Sequence, residues 1–349
     1  MPSPVPLSRL RRGSPSTHLE PVGSPDRYLP GSPTPLRHFF IKSGFVCGSP
    51  VAAKQVPAEL QVGEKIGAGS FGVVYRGVYC GHHVAVKRMH RRQGLSEGDD
   101  ISKKSFLAEL NVKSLQHPNL VTLLAAWMQP HFRYGLCNDG DVEEKSHEGT
   151  GILIMELLAG PSLYTRLFSM DTPISDRSCL EVGRGLAAGL SYLHGRGIVH
   201  LDVRPANAIM VGSGVKLCDF GCSQRLEPPS HKGRGSPTGA GGGGAYTHRA
   251  PELLRGERAS ASNDIYSLAV TLWQMWARCQ PYGPDGSAAL YNVVAHGRRP
   301  DFPLQWPPFP VGPSLRRLIE ACWQADEASR PLACHIEDAT VKLLQELAG

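Results

Sequence analysis

"LQVGEKIGAGSFGVVYRGVYCGHHVAVKRMH", residues 60–90, decides how the rest of the chain is read. Three β-prone runs are separated by two turn signals, one Gly-rich around 67–72 and one at Gly-His-His 81–83, so the stretch predicts three successive strands. Gly67, Gly69 and Gly72 stand in a G-x-G-x-x-G spacing. Such glycines let a tight turn bring backbone N–H groups close to phosphate oxygens, where a side chain would obstruct them. The spacing also marks dinucleotide-binding folds, but there the glycines follow a strand and open a helix. Here the β-prone "VVYRGVY" follows, so the loop joins strand to strand and favours a flap over a nucleotide. On this motif alone an ordinary glycine hairpin stays open.

Downstream, "VAVK" ends at Lys87 on a strand that reads as buried. An unpaired buried ammonium is costly, so Lys87 needs an anion. Phosphates under the glycine loop are one candidate, and Glu109 is the other. Alternatively Lys87 snorkels to solvent from a strand end. Glu109 lies in "KKSFLAELNVKSLQ" (103–116), which reads as a helix with Phe106, Leu110 and Leu115 near one face. Two further strands, near 120–128 and 151–157, flank the polar "NDGDVEEKSHEGTG", which reads as an exposed hairpin tip.

After Gly160 the chain turns helical. "SDRSCLEVGRGLAAGLSYLHGRG" opens with Ser175 and Asp176 as caps and carries Leu186, Leu190 and Leu193 as a stripe. Further helices are expected around 263–277, 312–323 and 332–347. There is no internal repeat. A β-rich first part before a helical second part predicts an α+β, two-lobed fold.

Between these helices lie "HLDVRPAN" (200–207) and, after the apolar strand "GVKLC", "DFG" at Asp219–Gly221. Phosphoryl transfer is mostly positioning and charge neutralisation, so a site for it needs oxygen ligands for Mg²⁺ and a group to receive the nucleophile's proton. Asn207 and Asp219 supply the oxygens; Asp202 would orient a hydroxyl and accept its proton. A lone Asp or Asn in a loop is normally a turn residue. Glycine loop, lysine, Asp–Asn loop and second Asp in this order are not explained by turns.

On these residues the region from about 60 to 345 resembles a eukaryotic protein kinase, with Ala250-Pro251-Glu252 completing the set. The resemblance implies a bilobal fold: a small β-rich N-lobe with one helix (about 58–158) and a larger helical C-lobe (about 159–346). It implies ATP and Mg²⁺, with Ile66, Gly67, Ala68, Gly69, Ser70, Phe71 and Gly72 over the nucleotide. Val74, Ala85 and Ile209 would enclose the adenine, Met155 would guard the back pocket, and Glu156–Leu158 would form the hinge. Lys87, Glu109 and Asp219 would serve the phosphates and metal, and Asp202, Arg204 and Asn207 the transfer. Asp264 would brace the catalytic loop from a buried helix, and Arg330 would pair with Glu252. Within kinases, "FLAELNVKSLQHPNLV", "IVHLDVRPANAIM", "CDFGCS", "YTHRAPELLRGE" and "DIYSLAVTLWQMW" are similar to the Mos proto-oncogene family of serine/threonine kinases. That family resemblance implies a germ-cell kinase that phosphorylates MAP kinase kinase, drives the MAP kinase cascade and supports meiotic arrest of the egg.

Three positions depart from the wider pattern. Leu201 replaces an arginine that in many kinases receives a phosphate on the activation segment, so phosphorylation there should contribute less. Arg204 replaces a lysine, keeping the charge on a planar fork of different reach. Ala245 stands where a threonine usually bonds the catalytic Asp, with Thr247 as a candidate substitute. The lost bond could cost on the order of 1–3 kcal/mol. The Gly-rich "EPPSHKGRGSPTGAGGGG" between them reads either as a disordered activation segment with Ser236 as a phosphosite or as a tolerated insertion. Since all groups for Mg·ATP remain, an active enzyme is expected. A feeble nucleotide-binding scaffold and a pure interaction module are the alternatives.

Composition bounds the rest. Of the net charge of +6, residues 1–57 supply +5 from seven basic and two acidic side chains, leaving +1 for the remainder. A nearly neutral body with a mildly basic tail is a poor footprint for specific nucleic-acid binding. Those residues also hold 11 of the 29 prolines, which reads as a disordered tail. Ser-Pro or Thr-Pro at Ser3, Ser14, Ser24, Ser32, Thr34 and Ser49 would suit proline-directed kinases, though Ser and Pro are simply common in disorder. Ser3 beside Pro2 is a candidate control of turnover. No apolar run reaches the roughly 18–20 residues needed to span a bilayer, and no secretory leader is apparent. Nine scattered cysteines read as reduced thiols. The expectation is a cytoplasmic monomer without a structural metal site.

Overall fold

The computed structural model describes residues 59–69, 71–89, 101–128, 131–132, 147–148, 151–170, 172–226, 246–283, 286–304, 306 and 311–348. The Ser/Pro-rich tail, Ser70, Ser236 and Ala245 lie outside them, as does most of the polar 138–151 segment.

The 60–90 stretch forms β1 (Leu60–Ala68), β2 (Gly72–Tyr79) and β3 (His82–Met89). The β2–β3 turn is Cys80-Gly81, with φ of 50° and 78°, and Tyr79 opposes His82. A two-residue hairpin of this hand needs positive φ at both central positions, and Gly81 supplies one freely. The turn therefore sits a residue earlier than the composition suggests, and both histidines belong to β3. Next come α1 (Ile101–Asn111), β4 (Leu123–Met128), the short antiparallel pair β5 (His131–Phe132) and β6 (His147–Glu148), and β7 (Gly151–Glu156). The main sheet runs β1-β2-β3-β7-β4, every pair antiparallel.

Pleating sends alternate residues to opposite faces. One face buries Tyr79, Val84, Val86, Ile152 and Ile154. The other packs Phe71, Met89 and Leu153 against Phe106 of α1. Helix α1 ends sooner than the sequence pattern indicates. Val112, Lys113 and Leu115 donate to carbonyls three residues back, at 3.3, 3.2 and 2.9 Å, so the chain tightens into turns and Leu115 falls beyond the helix. The buried side of α1 carries Ser105 and Glu109 beside Phe106 and Ala108, so it looks less amphipathic than it is.

The helical lobe comprises α2 (Leu163–Phe168), α3 (Asp176–His194), β8 (Ile198–Val199), β9 (Ala208–Val211), β10 (Gly214–Leu217), β11 (Gln224–Arg225), α4 (Pro251–Leu254), α5 (Ala261–Ala277), α6 (Gly286–His296), α7 (Val311–Cys322) and α8 (Ala333–Glu346). Ser175 caps α3 by accepting the Ser178 N–H at 3.2 Å. Leu186, Leu190 and Leu193 are fully buried, each worth about 1.5–3 kcal/mol. Helix α5 is buried nearly all round, which makes it the axis of this lobe. The two-stranded sheets β9–β10 and β8–β11 carry the loops that form the site. No helix among the described residues is long and apolar enough to cross a membrane.

Candidate active site

Strand β3 delivers Lys87 to the sheet face shared with Leu153, its register partner on β7. Its Nζ lies 2.7 Å from Glu109 Oε1 and 2.6 Å from Asp219 Oδ1. Lys87 and Glu109 are both buried, so the lysine turns inward and does not snorkel. Burial alone would lower the lysine's pKa, but the two carboxylates raise it above its ordinary value and keep it charged. Burial, and then the Asp219 charge, push Glu109 upward against the pull of Lys87. For Asp219, burial is outweighed by Lys87 and by the Gly221 N–H, and its carboxyl is held below the ordinary value. The Phe71 ring, turned inward, lies 5.9 Å from Lys87 Nζ.

The loop after α3 is fixed from below. Asp264 on α5 is completely buried. It accepts the His200 N–H at 2.8 Å, the Leu201 N–H at 2.7 Å and a bond from His194 Nε2 at 2.9 Å. Those bonds hold Leu201 at φ 63°, in the left-handed region. They also hold Asp264 below the ordinary carboxylate range against its burial. His200 Nδ1 accepts the Asp202 N–H at 3.2 Å, so Nε2–H donates to Cys218 O at 3.1 Å. Its ring meets Phe220 edge-on at 4.9 Å. Asp202 is thereby set beside Asn207, whose Nδ2 donates to its Oδ2 at 2.6 Å and to its backbone carbonyl at 2.9 Å. Burial raises the Asp202 pKa, and the Arg204 charge only partly offsets it.

The glycines divide by purpose. A Cβ at Gly69 would meet no atom within 4 Å, and one at Gly67 only Val74 Cβ at 3.9 Å. That open side suits a phosphate cradle. A Cβ at Gly72 would lie 2.2 Å from Arg88 O, so this glycine lets β2 approach β3. On the same sheet face, Val74 opposes Lys87, and Ala85 opposes Met155. Ile66 at the end of β1 is exposed. Below the hinge residues 156–158, β9 carries Ile209 into a bridge with Ser162, and Met210 N–H donates to Pro161 O at 2.9 Å. Leu158 is half-buried. Glu156 has a function the sequence did not reveal: its Oε1 accepts the Thr122 N–H at 2.8 Å and Lys216 Nζ at 2.6 Å. It ties the last strand of one lobe to β10 of the other.

The donor set fits a magnesium nucleotide. Asn207 uses its amide nitrogen on Asp202, which leaves its oxygen as a ligand. Asp219 engages Lys87 and Gly221 through Oδ1 alone. There is no group of three or more metal-ligating side chains among the described residues. Magnesium does not require one, since it keeps waters and phosphate oxygens around one or two carboxylates. The protein kinase domain family matches residues 60–340. The chain belongs to the protein kinase family. It is 36% identical to a serine/threonine-protein kinase mos of Xenopus laevis, over all of this chain and 94% of that protein. A mos kinase of Gallus gallus is 36% identical over 96% of this chain and 97% of the relative. A proto-oncogene serine/threonine-protein kinase mos of Sus scrofa is 34% identical, over 95% and 96%. Within protein kinases the chain is a member of the Mos family.

In this Mos-family kinase the segment that begins at Tyr246 is anchored to α5. Glu252 pairs with Arg330 through two bonds of 2.6 and 3.0 Å and accepts Asn263 Nδ2 at 2.5 Å. Thr247 does not substitute for a threonine at 245, because its hydroxyl bonds His248 Nδ1 at 3.1 Å. His248 Nε2 in turn meets Gln274 Oε1 at 3.0 Å. Burial, helped by the Arg204 charge, pushes the His248 pKa down to about 3, so its ring stays neutral. His194, Lys216 and His248 were not singled out in the sequence. Only Lys216 left a signal there, as the one polar residue of an otherwise apolar strand.

Proposed function

We propose that this kinase transfers the γ-phosphoryl group of ATP to serine and threonine hydroxyls of a protein substrate. The reading is carried by one observation: Lys87 bridges Glu109 of α1 and Asp219 of the DFG turn, at 2.7 and 2.6 Å. That bridge joins the two lobes around the phosphate position. Lys87 holds phosphate oxygens by charge, and Glu109 holds Lys87. The open backbone of Gly67 and Gly69 covers the phosphates. Bound Mg²⁺ would neutralise the developing charge, held by Asp219 and Asn207. Asp202 receives the acceptor hydroxyl and takes its proton, and its raised pKa makes it a better base than a free aspartate. Arg204, two residues on, presents its charge toward the transferred group. The aspartate-to-cation spacing is that of serine/threonine kinases.

Leu201 offers no cation to a phosphate on the activation segment, so activity follows the amount of protein more than its phosphorylation. Membership of the Mos family extends the reading to MAP kinase kinase as substrate, in a cytoplasmic monomer that drives the MAP kinase cascade in oocyte meiosis and metaphase arrest. Tail Ser-Pro sites, Ser3 among them, would be targets of proline-directed kinases. The test is transfer of labelled phosphate from ATP to a catalytically inactive MAP kinase kinase, followed by phosphoamino-acid analysis. Phosphoserine or phosphothreonine is expected. Phosphotyrosine, or ATP turnover with no labelled protein, would overturn the proposal.

A further inference from the structure

A cavity of about 820 Å³ opens between the C-terminal end of α5 and α6, and none of the described residues that line it belongs to the nucleotide site. Trp273, Tyr282 and Pro300 wall it, and Gln280, Arg298 and Arg299 give it polarity. The Arg299 guanidinium is held by backbone carbonyls: Nε donates to Trp323 O at 2.8 Å, and Nη1 to Gly297 O and Arg298 O at 3.2 and 3.0 Å. No carboxylate pairs with Arg299 or with the exposed Arg298 among the described residues. Among the described residues Asp301 is the one acid on the wall, and it makes no ion pair there either. One guanidinium is thus fixed in direction, 5.0 Å from the Tyr266 ring, and among the described residues neither it nor the second one beside it meets a carboxylate. Carboxylates are the natural complement, because charge-assisted bonds to a pre-oriented guanidinium need little reorganisation.

The cavity is joined by hydrogen bonds to the Tyr246–His248 turn. Gln280 on its wall accepts Gln274 Nε2 at 3.3 Å, and Gln274 accepts His248 Nε2 at 3.0 Å. Helix α6 packs against both the Tyr246–His248 turn and α4. The cavity wall, the Tyr246–His248 turn and α4 thus form one packed unit, and a protein held in the cavity lies beside the segment that leads to Ala250-Pro251-Glu252.

We propose that the α5–α6 cavity is a docking site for an acidic segment of the protein substrate, with a carboxylate seated against Arg298 and Arg299. The idea rests on the kinase reading above, so its test has an arm that needs no turnover. In that arm, a fluorescein-labelled hexaglutamate peptide is titrated into the full chain, its Arg298→Glu and Arg298→Lys variants, and Arg177→Glu as a matched charge change at an exposed position in the first turn of α3. In the second arm, KM and kcat are compared for dephosphorylated casein, an acidic protein, and for a short uncharged serine peptide. The expectation is about ten-fold weaker hexaglutamate binding and about ten-fold higher casein KM for Arg298→Glu, near-wild-type values for the lysine and Arg177 variants, and unchanged peptide kinetics. Equal hexaglutamate binding by wild type and Arg298→Glu would overturn the docking site, whatever the turnover. Selective binding with no transfer to casein, to the peptide or to MAP kinase kinase would keep the docking site and overturn the kinase reading. Because Arg298 is exposed, loss of fold is not expected, and matching melting curves exclude it.

Discussion

Replacing Asp264 by asparagine separates folding from positioning more cleanly than any change in the cleft. Asp264 Oδ2 receives two donors, His200 N and His194 Nε2, while Oδ1 receives only Leu201 N. An amide keeps one acceptor oxygen, which will take the doubly bonded place. Its NH₂ then confronts the Leu201 N–H, donor against donor. An unsatisfied buried N–H costs about 1–3 kcal/mol. The left-handed Leu201, strained by roughly 1–2 kcal/mol, is released from its clamp. Taking about 3 kcal/mol for the loop, kcat should fall on the order of 100-fold. The melting temperature should fall by roughly 6–12 °C, at 2–4 °C per kcal/mol for a domain of this size. ATP affinity should hold, since Lys87, Glu109 and Asp219 are anchored by one another. Steady-state kinetics with varied ATP, together with thermal melting, check this. Wild-type kcat in a folded Asp264→Asn protein would refute the view that Asp264 sets the catalytic loop.

The two glycines should behave oppositely. Gly72→Ala drives a Cβ to 2.2 Å from Arg88 O and should destabilise by about 1–3 kcal/mol as an overpacked site, whereas Gly69→Ala should melt like wild type and instead raise KM for ATP. Equal melting of both would refute this packing assignment. For pH, Glu252 and Asp264 have folded pKa values held below their ordinary values of 4.5 and 3.8. Their stability contribution is therefore complete above those values and is lost as pH falls through the lower folded ones. Melting temperature measured from pH 6 to 3 should drop on the acid side; a rise there would contradict the assignment. The raised Asp202 pKa carries the opposite signature in activity. Because the base must be ionised, the acid limb of kcat should lie above 3.8, the ordinary aspartate value.

Local patterns and the family resemblance showed which residues carry the chemistry; several contacts between distant segments stayed hidden. The glycine loop, Lys87, Glu109, Asp202, Asn207 and Asp219 could be read because each chemical requirement sits in a short run with its own turn or strand signal. The Ser175 cap and the leucine stripe of α3 were equally plain. Helix α6 was missed: "GSAALYNVVAH" begins with residues that favour turns and has no charged face. The end of α1 was misplaced because apolar Leu115 continues the helical period after the hydrogen bonds have tightened. Gly72 appeared to serve phosphates, yet its reason is the Arg88 carbonyl on the next strand. The Glu156–Lys216 brace, the left-handed Leu201 and the His248–Gln274 bond each depend on partners tens of residues away. Spacing holds no record of those partners.

The central claim is that this site works despite Arg204. Its most direct test is phosphotransfer from Mg·ATP to MAP kinase kinase by the full chain and by Asp202→Asn, side by side. The account predicts clear phosphorylation by the first and a loss of several orders of magnitude in the second, with Mg·ATP raising the melting temperature of both. Equal, negligible transfer by both proteins would contradict it and leave a nucleotide-binding scaffold in the place of an enzyme.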